Sequence, residues 1–389
     1  MVRPVVSVRR AAVAASLVAV LALVACVPAD DERATPTESP VDGDLPVVLQ
    51  GELQSVMEDT MTSFDVPGAV AGVWVPGEGA WTSAAGLADI AADVPATTEM
   101  SWPLRSITKS FTVTLLLQLV DEGDVSLDDT IAQYVDGVTD GDRITLRELA
   151  GMTSGNADYT GEAFLEDYTA DPDRIFTLDD LNAFVLGQPA QFEPGAERIY
   201  TNANTNLIGK VVEAVTGMPF AEALDERILQ PLGLDDTRYM VDVAEWTAPH
   251  AEGYVPEEEP REPVPQNFSI FGPAGSMVST LADAAEWAEV LADGALLEPE
   301  TQEERLVGGP LDAGPPYDLY ALGIGETGGW WGHNGEGLGY TSAVFHEPTS
   351  GATIVVFANE SNLPDHTHPA DLMFRRMAKL LGEQGMLEG

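Results

Sequence analysis

One cysteine, Cys26, occurs in 389 residues, so no disulfide can form within the chain and the core must hold the fold unaided. A chain of this length buries enough surface to do so, as one large domain or two closely joined lobes. Positive charge is also scarce: 18 Lys and Arg stand against 64 Asp and Glu, for a formal net charge of −46. Such a surface repels nucleic acid and anionic polymers and reads as a solvated acidic coat. The sequence has no metal-ligand spacing, no phosphate-binding glycine loop and no internal repeat, so neither a cofactor nor a solenoid is expected. With 44% apolar residues and seven Trp it is globular, not disordered. Lysine is the scarcest charged residue, with Lys109, Lys210 and Lys379 alone. Lys109 closes the run Ser106-Ile107-Thr108-Lys109 at the head of an apolar stretch, where it is either an ordinary cation or a base held against a nucleophile.

The N-terminus carries Arg3, Arg9 and Arg10, followed by "AAVAASLVAVLALVA", an apolar stretch of secretory-signal length. Leu23-Val24-Ala25-Cys26 resembles a bacterial lipoprotein cleavage site, in which the cysteine becomes the lipidated first residue. The alternative is a plain anchor helix with a chance cysteine. Either reading predicts an extracytoplasmic protein held at the cell membrane: residues 1–25 as signal peptide, then Cys26 and a flexible tether to residue 46, rich in Pro, Asp, Glu and Thr. Arg9-Arg10 suits twin-arginine export poorly, and the export route stays open.

From residue 47 to 389 the chain reads as one domain. A helix is predicted over "LPVVLQGELQSVMEDTMTSF", then strands "GAVAGVWV" and "AWTSAAGLAD" joined by the hairpin signal "PGEG". The middle, about residues 105–265, is mostly helical, with a helix over Asn204–Thr216 stopped by Gly217 and another from Phe220 to Leu229 before Pro231. Thr177 with Asp180 and Thr280 with Asp283 read as capping boxes. Strand patterns return in "YALGIG", "GWWGHNG", "GYTSAVFHE" and "ATIVVFANES", and an amphipathic helix "PADLMFRRMAKLLGE" follows. Strands at both ends of a helical insert predict an α+β fold, an antiparallel sheet flanked by helices plus an all-α lobe, with a cleft between them.

In a helix, Ser106 and Lys109 share a face one turn apart. Phe111, Val113, Leu115, Leu116, Leu117, Leu119 and Val120 make the following helix apolar nearly all round, so it is predicted to be buried. Burial disfavours a charged lysine and turns it toward a useful base, and a helix N-terminus offers N–H groups to a developing anion. A serine hydroxyl needs such a base to become a nucleophile. Tyr200-Thr201-Asn202, just before a helix, adds a tyrosine able to share the lysine's proton and an asparagine able to orient it. His333-Asn334-Gly335 falls on a strand between small residues that admit a substrate backbone. Alone, the tyrosine and asparagine equally fit a core tyrosine with a helix cap, and His333 a structural polar residue.

In this order the three stretches resemble the serine β-lactamase and penicillin-recognising DD-peptidase superfamily, in which Ser-x-x-Lys is the first of three motifs. Tyr-x-Asn as the second and His-x-Gly as the third resemble its class C β-lactamase-like branch, which also holds D-alanyl-D-alanine carboxypeptidases, D-aminopeptidases and family VIII esterases. "SITKSF", "DRITLRELAGMTSG", "YTNANTNLIG" and "HNGEGLGYTSAVF" carry the match across about residues 50 to 385, most closely to the D-alanyl-D-alanine carboxypeptidases. The resemblance implies a β-lactamase/transpeptidase-like fold and an acyl-enzyme on Ser106. It makes Lys109 and Tyr200 the proton carriers, with Asn202 holding Lys109 and substrate. His333, Asn334 and Gly335 border the cleft, and the backbone N–H groups of Ser106 and Glu336 form the oxyanion hole. The implied substrates are cell-wall peptides, amides or esters, with β-lactams as acylating ligands. A carboxylesterase and a β-lactam or muropeptide sensor that stays acylated are the alternatives.

Two departures bear on the substrate. The third motif begins with His333 where the pattern has lysine, and "LGIGETGGWWG" supplies no arginine for a substrate carboxylate. Glu336 and Asn334 occupy positions where the carboxypeptidase pattern has threonines. A carboxylate at 336 repels an anionic substrate end, so an ester, an amide or a peptide with a free amino end fits the local charge better.

Overall fold

The structure, a computed structural model, describes residues 43–256, 261–361, 363 and 367–387. The expected signal peptide, Cys26 and the tether up to residue 42 lie outside the described residues. Among the described residues no helix is long and apolar enough to cross a membrane.

An eight-stranded antiparallel sheet forms the centre, in the order β3-β2-β1-β11-β10-β9-β8-β7. Its strands are β1 (Gly68–Val75), β2 (Gly79–Asp89), β3 (Val94–Pro95), β7 (Leu319–Tyr320), β8 (Gly325–Thr327), β9 (Trp330–Gly337), β10 (Tyr340–Glu347) and β11 (Ala352–Ala358). A smaller sheet combines β4 (Trp102–Pro103), β6 (Met277–Ser279) and β5 (Arg238–Tyr239). The two ends of the sequence meet mid-sheet, where Val70 pairs with Phe357 and Ala71 with Val356. β11 is buried along its whole length because both faces are covered, and its side chains divide by the strand period of two. Ile354 and Val356 pack under α1 (Val47–Phe64) and the C-terminal helix Pro369–Glu383. Val355 and Phe357 face the larger core shared with the helical lobe.

Each covering helix shows why it lies where it does. In α1 the buried positions Leu49, Leu53, Met57 and Met61 recur every four residues, and the helix stops at Asp65 in the left-handed region. The lobe begins with α2 (Thr108–Asp121), buried on almost every side as its apolar circumference predicts. α3 (Leu146–Ala150), α4 (Glu162–Ala170), α5 (Leu178–Ala183) and α6 (Asn202–Thr216) follow; α6 is capped by Thr201 and ended by Gly217 at φ 71°. α7 (Phe220–Leu224) runs through a widened turn at Asp225–Leu229 into α8 (Gln230–Leu232). α9 (Leu281–Asp293) lies on the lobe-side face of the sheet, α10 (Pro299–Arg305) follows it, and α11 is the C-terminal helix Pro369–Glu383.

The fold is the α+β arrangement expected, with local corrections. Ser106 lies not in the first α-helical turn but in a separate 3₁₀ turn, Arg105–Ile107, that leads into α2. "YALGIG" is not one strand: it breaks at Gly323, φ 68°, and its ends become β7 and the start of β8. Thr177 and Asp180 form a complete capping box, whereas Thr280 completes only half of one. Its hydroxyl accepts from Asp283 N, but the Asp283 carboxylate accepts from Asp236 N and Thr237 Oγ1 instead.

Candidate active site

The 3₁₀ turn puts Ser106 at the wall of a cleft of about 620 Å³, between the lobe and the edge of β9. Tyr159, Phe164, Ile270 and Phe271 supply apolar walls; Asn202, Asn334 and Glu336 supply polar ones. Gly335 lets strand and nucleophile turn come together, since a Cβ there would sit 2.2 Å from Leu104 O.

Lys109, fully buried on α2, donates from Nζ to Ser106 Oγ at 3.0 Å, Asn202 Oδ1 at 2.7 Å and Ala274 O at 2.8 Å. Burial lowers its pKa to about 7, against an opposing pull from Asp158. Near neutral pH this amine therefore exists in both charge states, which a base for a serine hydroxyl requires.

Asn202 opens α6, and its orientation is set by Asp158. That carboxylate accepts from the Asn202 backbone N at 2.6 Å, from Nδ2 at 3.2 Å and from Thr201 Oγ1 at 3.1 Å. The amide nitrogen is thereby turned toward Asp158, and the oxygen toward Lys109.

Tyr200 places its ring 5.0 Å from Lys109 Nζ and edge-on to Tyr320. Its hydroxyl is buried, faces Ser106, and makes no hydrogen bond of full geometry. Burial first, then Tyr320 and Tyr317, hold its pKa well above the usual phenol value, with Ser106 opposing weakly. At neutral pH Tyr200 is a phenol, able to give a proton rather than take one.

His333 is fully buried behind Tyr200 and is not part of the cleft wall. Its Nδ1 bonds Asn334 O at 2.5 Å, its Nε2 bonds Tyr320 Oη at 3.3 Å, and Tyr317 Oη lies 3.1 Å from Nδ1. Burial, and then the Lys109 charge, lower its pKa to about 3, so it is neutral. Tyr317 Oη also bonds Asn334 N at 2.9 Å and Asn334 Oδ1 at 2.8 Å, which holds this segment rigidly. Because Asn334 N points off the β10 side, the two-residue period sends Glu336 N to the same strand edge, toward the cleft.

Ser106, Lys109, Tyr200, Asn202, Asn334, Gly335 and Glu336 thus converge on one site, while His333 supports it from behind. Cys26 lies outside the described residues. Several contributors escaped the sequence reading. Asp158 is 44 positions from Asn202 and one acid among 64 acidic residues. His368, the N-cap of α11, accepts from Asp371 N on Nδ1, so its Nε2–H donates to Gly335 O at 3.0 Å. Two arginines also reach the cleft, Arg105 beside Ser106 and Arg375 on α11. Arg375 pairs with Asp371 at 2.6 Å and donates to Pro316 O, and Arg105 is bonded to Gly337 O and Gln266 while its buried Nη1 has no hydrogen-bond partner. Among the described residues no group of three His, Cys, Asp or Glu side chains could hold a metal ion.

Comparison with known proteins gives consistent results. The beta-lactamase family model matches residues 53–376. D-aminopeptidase of Brucella anthropi is 27% identical over 307 residues, covering 76% of this chain and 56% of its own length. D-aminopeptidase of Brucella canis is 29% identical, covering 82% of this chain and 62% of its own length. The chain thus spans little more than half the length of these relatives. Among solved structures, D-stereospecific amidohydrolase from a Streptomyces species has a TM-score of 0.72 at 28% identity, covering 84% of this chain and 97% of the other. D-amino acid amidase from Ochrobactrum anthropi SV3, solved with L-phenylalanine amide, has a TM-score of 0.75 at 24% identity, covering 87% and 99%; at that identity it speaks for the fold alone.

Proposed function

Because this chain belongs to the beta-lactamase family, we propose that it is a serine hydrolase cleaving amides or short peptides of D-amino acids that carry a free amino end. The observation that carries the reaction type is Lys109 Nζ, buried between Ser106 Oγ and Asn202 Oδ1 with a pKa near 7. Neutral Lys109 takes the Ser106 proton as Oγ attacks the carbonyl carbon. The carbonyl oxygen, now an anion, is held by the N–H groups of Ser106 and Glu336. On collapse the C–N bond breaks and the leaving amine takes a proton from the Tyr200 phenol. Lys109, as ammonium, returns one to Tyr200. Water then attacks the acyl-enzyme by the same route, releasing the acid and restoring Ser106.

The substrate class rests on charge. Glu336 is exposed at the cleft and Arg375 is paired with Asp371, so a cationic amine is welcome there, while the one arginine donor left without a partner, Arg105 Nη1, is buried. The names of the Brucella and Streptomyces relatives point the same way. This reading favours an aminopeptidase or amidase over a D-alanyl-D-alanine carboxypeptidase. Export and lipidation at Cys26 are part of the proposal.

The test follows turnover and intact mass with D-alanine p-nitroanilide, its N-acetyl derivative, an acetylated D-Ala-D-Ala peptide, p-nitrophenyl esters and a fluorescent penicillin, with Ser106→Ala as control. Ser106-dependent release from the free-amine amide, at least tenfold above its acetylated form, is expected. Preference for the D-Ala-D-Ala peptide would restore the carboxypeptidase reading. Ester turnover alone would make it an esterase, and acylation without release a sensor. For the anchor, a Cys26→Ser form that still acquires lipid would remove the lipoprotein assignment.

A further inference from the structure

The residue just before Ser106 is an arginine held where glycine is at home. Arg105 has φ 51°, in the left-handed region, and such strain in a long side chain persists only where the surroundings fix it. Here they do. The side chain is 1% exposed, and its guanidinium packs 4.6 Å from the Phe271 ring and 5.3 Å from Tyr340. Nε donates to Gly337 O at 3.0 Å and Nη2 to Gln266 Oε1 at 2.5 Å. Gln266 extends the brace, donating to Leu338 O at 2.9 Å and Val264 O at 2.7 Å. A second tie flanks it, from Ser342 Oγ to Leu104 O at 2.9 Å.

The covalent neighbours of this brace matter. Arg105 immediately precedes Ser106, and Gly337 immediately follows Glu336. One side chain therefore joins the 3₁₀ turn bearing one proposed oxyanion donor to the strand end bearing the other. Among the described residues no carboxylate pairs with Arg105 and its Nη1 has no hydrogen-bond partner, so the cation is a burden on the fold, which glycine at the same φ would avoid.

We propose that Arg105 is a positioning residue that sets the spacing between the Ser106 and Glu336 N–H groups by bracing the nucleophile turn against the end of β9. This rests on the serine-hydrolase reading above. Two donors on separate elements stabilise an oxyanion only while both point at one atom, and a small displacement of either weakens that convergence.

The test compares Arg105→Gly, Arg105→Lys and Gln266→Ala with the wild-type full chain. It reads melting temperature, kcat and KM on D-alanine p-nitroanilide, and the rate at which a fluorophosphonate labels Ser106. In Arg105→Gly, kcat and labelling should fall about tenfold to a hundredfold with KM held within about threefold. Arg105→Lys should recover part of the loss, because an ammonium keeps the aromatic contacts and can reach Gly337 O once. Gln266→Ala should lose less than Arg105→Gly. A lower melting temperature with kcat and labelling unchanged overturns the proposal. Should Arg105→Gly not fold, wild-type kcat and labelling in both other variants also overturn it. If wild-type Ser106 takes no label and turns nothing over, the serine-hydrolase reading fails and takes this proposal with it. That result is distinct from a labelled wild type with unaffected variants.

Discussion

Replacing Asp158 by asparagine removes one negative charge from behind the Lys109–Asn202 pair and keeps the side chain's shape. Asp158 raises the pKa of Lys109 against burial, so its loss must move that pKa below about 7. The contacts give the size of the shift. Lys109 Nζ lies 2.7 Å from Asn202 Oδ1, and Asn202 Nδ2 lies 3.2 Å from Asp158 Oδ2. With the width of one amide between, the charges are roughly 8 Å apart at most, worth about 2 kcal/mol at an effective dielectric of about 20, or about 1.5 pH units. Activation needs neutral Lys109, so the wild-type rate should climb through pH 7. In Asp158→Asn the same limb should fall near pH 5.5 to 6.

A second effect acts on the plateau. Asp158 is also the acceptor for Asn202 N and Thr201 Oγ1, and a neutral amide replaces a charged acceptor there. Losing part of a charged hydrogen-bond set costs about 1.5 kcal/mol, near tenfold in rate, if the Asn202 amide turns away from Lys109. The signature is thus a limb moved to lower pH with a lowered plateau. The assay is the second-order rate of Ser106 labelling by a fluorophosphonate between pH 5 and 9.5. That probe has no titrating amine, whereas a free-amine substrate does. An unmoved limb in Asp158→Asn would refute Lys109 as the titrating base.

Lys109→Met should abolish labelling yet raise the melting temperature. The folded pKa of about 7 lies below the reference value of 10.5, so the unfolded chain binds more protons and wild-type stability rises with pH across that window. The variant's advantage should therefore be largest below pH 7, on the order of a few kcal/mol, and fade toward pH 10; melting curves with an equal gap at both ends would contradict this. Glu336→Gln should raise KM for free-amine substrates about two- to fivefold, the range of one exposed ion pair, and leave acetylated analogues unchanged in steady-state assays. Tyr317→Phe strips the hydroxyl bonded to Asn334 N, Asn334 Oδ1 and His333, and should cost about 1–3 kcal/mol in denaturant unfolding; an unchanged midpoint would show that the buried network carries no stability.

What was legible in the sequence was whatever depends on near neighbours. The apolar circumference of residues 111–120 announced a buried helix, and the three-residue spacing put Lys109 beside Ser106. Asp158, Arg105 and His368 act through contacts 44, 232 and 33 residues away, and no local period encodes those. Local rules also failed where backbone geometry overrides pattern. The 3₁₀ turn at Ser106 follows from the left-handed Arg105, and the break in "YALGIG" from Gly323.

The replacement of lysine by His333 acquires a physical meaning from this arrangement. A permanent cation there would stand close to Lys109 and push its pKa further down, as the Lys109 charge itself pushes His333 to about 3. Burial instead keeps His333 neutral among Tyr317 and Tyr320, so Lys109 stands beside a neutral imidazole and a neutral Tyr200 phenol. The same substitution takes from the cleft the charge that a substrate carboxylate would meet. Arg375 does not restore it, because Asp371 balances that guanidinium; Arg105 gives Nε to Gly337 and Nη2 to Gln266 and keeps its buried Nη1 without a hydrogen-bond partner. On the proposed function, tuning of the base and a preference against anionic acyl donors share one source, a buried, uncharged imidazole. In that reading, the exposed carboxylate of Glu336 adds the complementary preference for an amine.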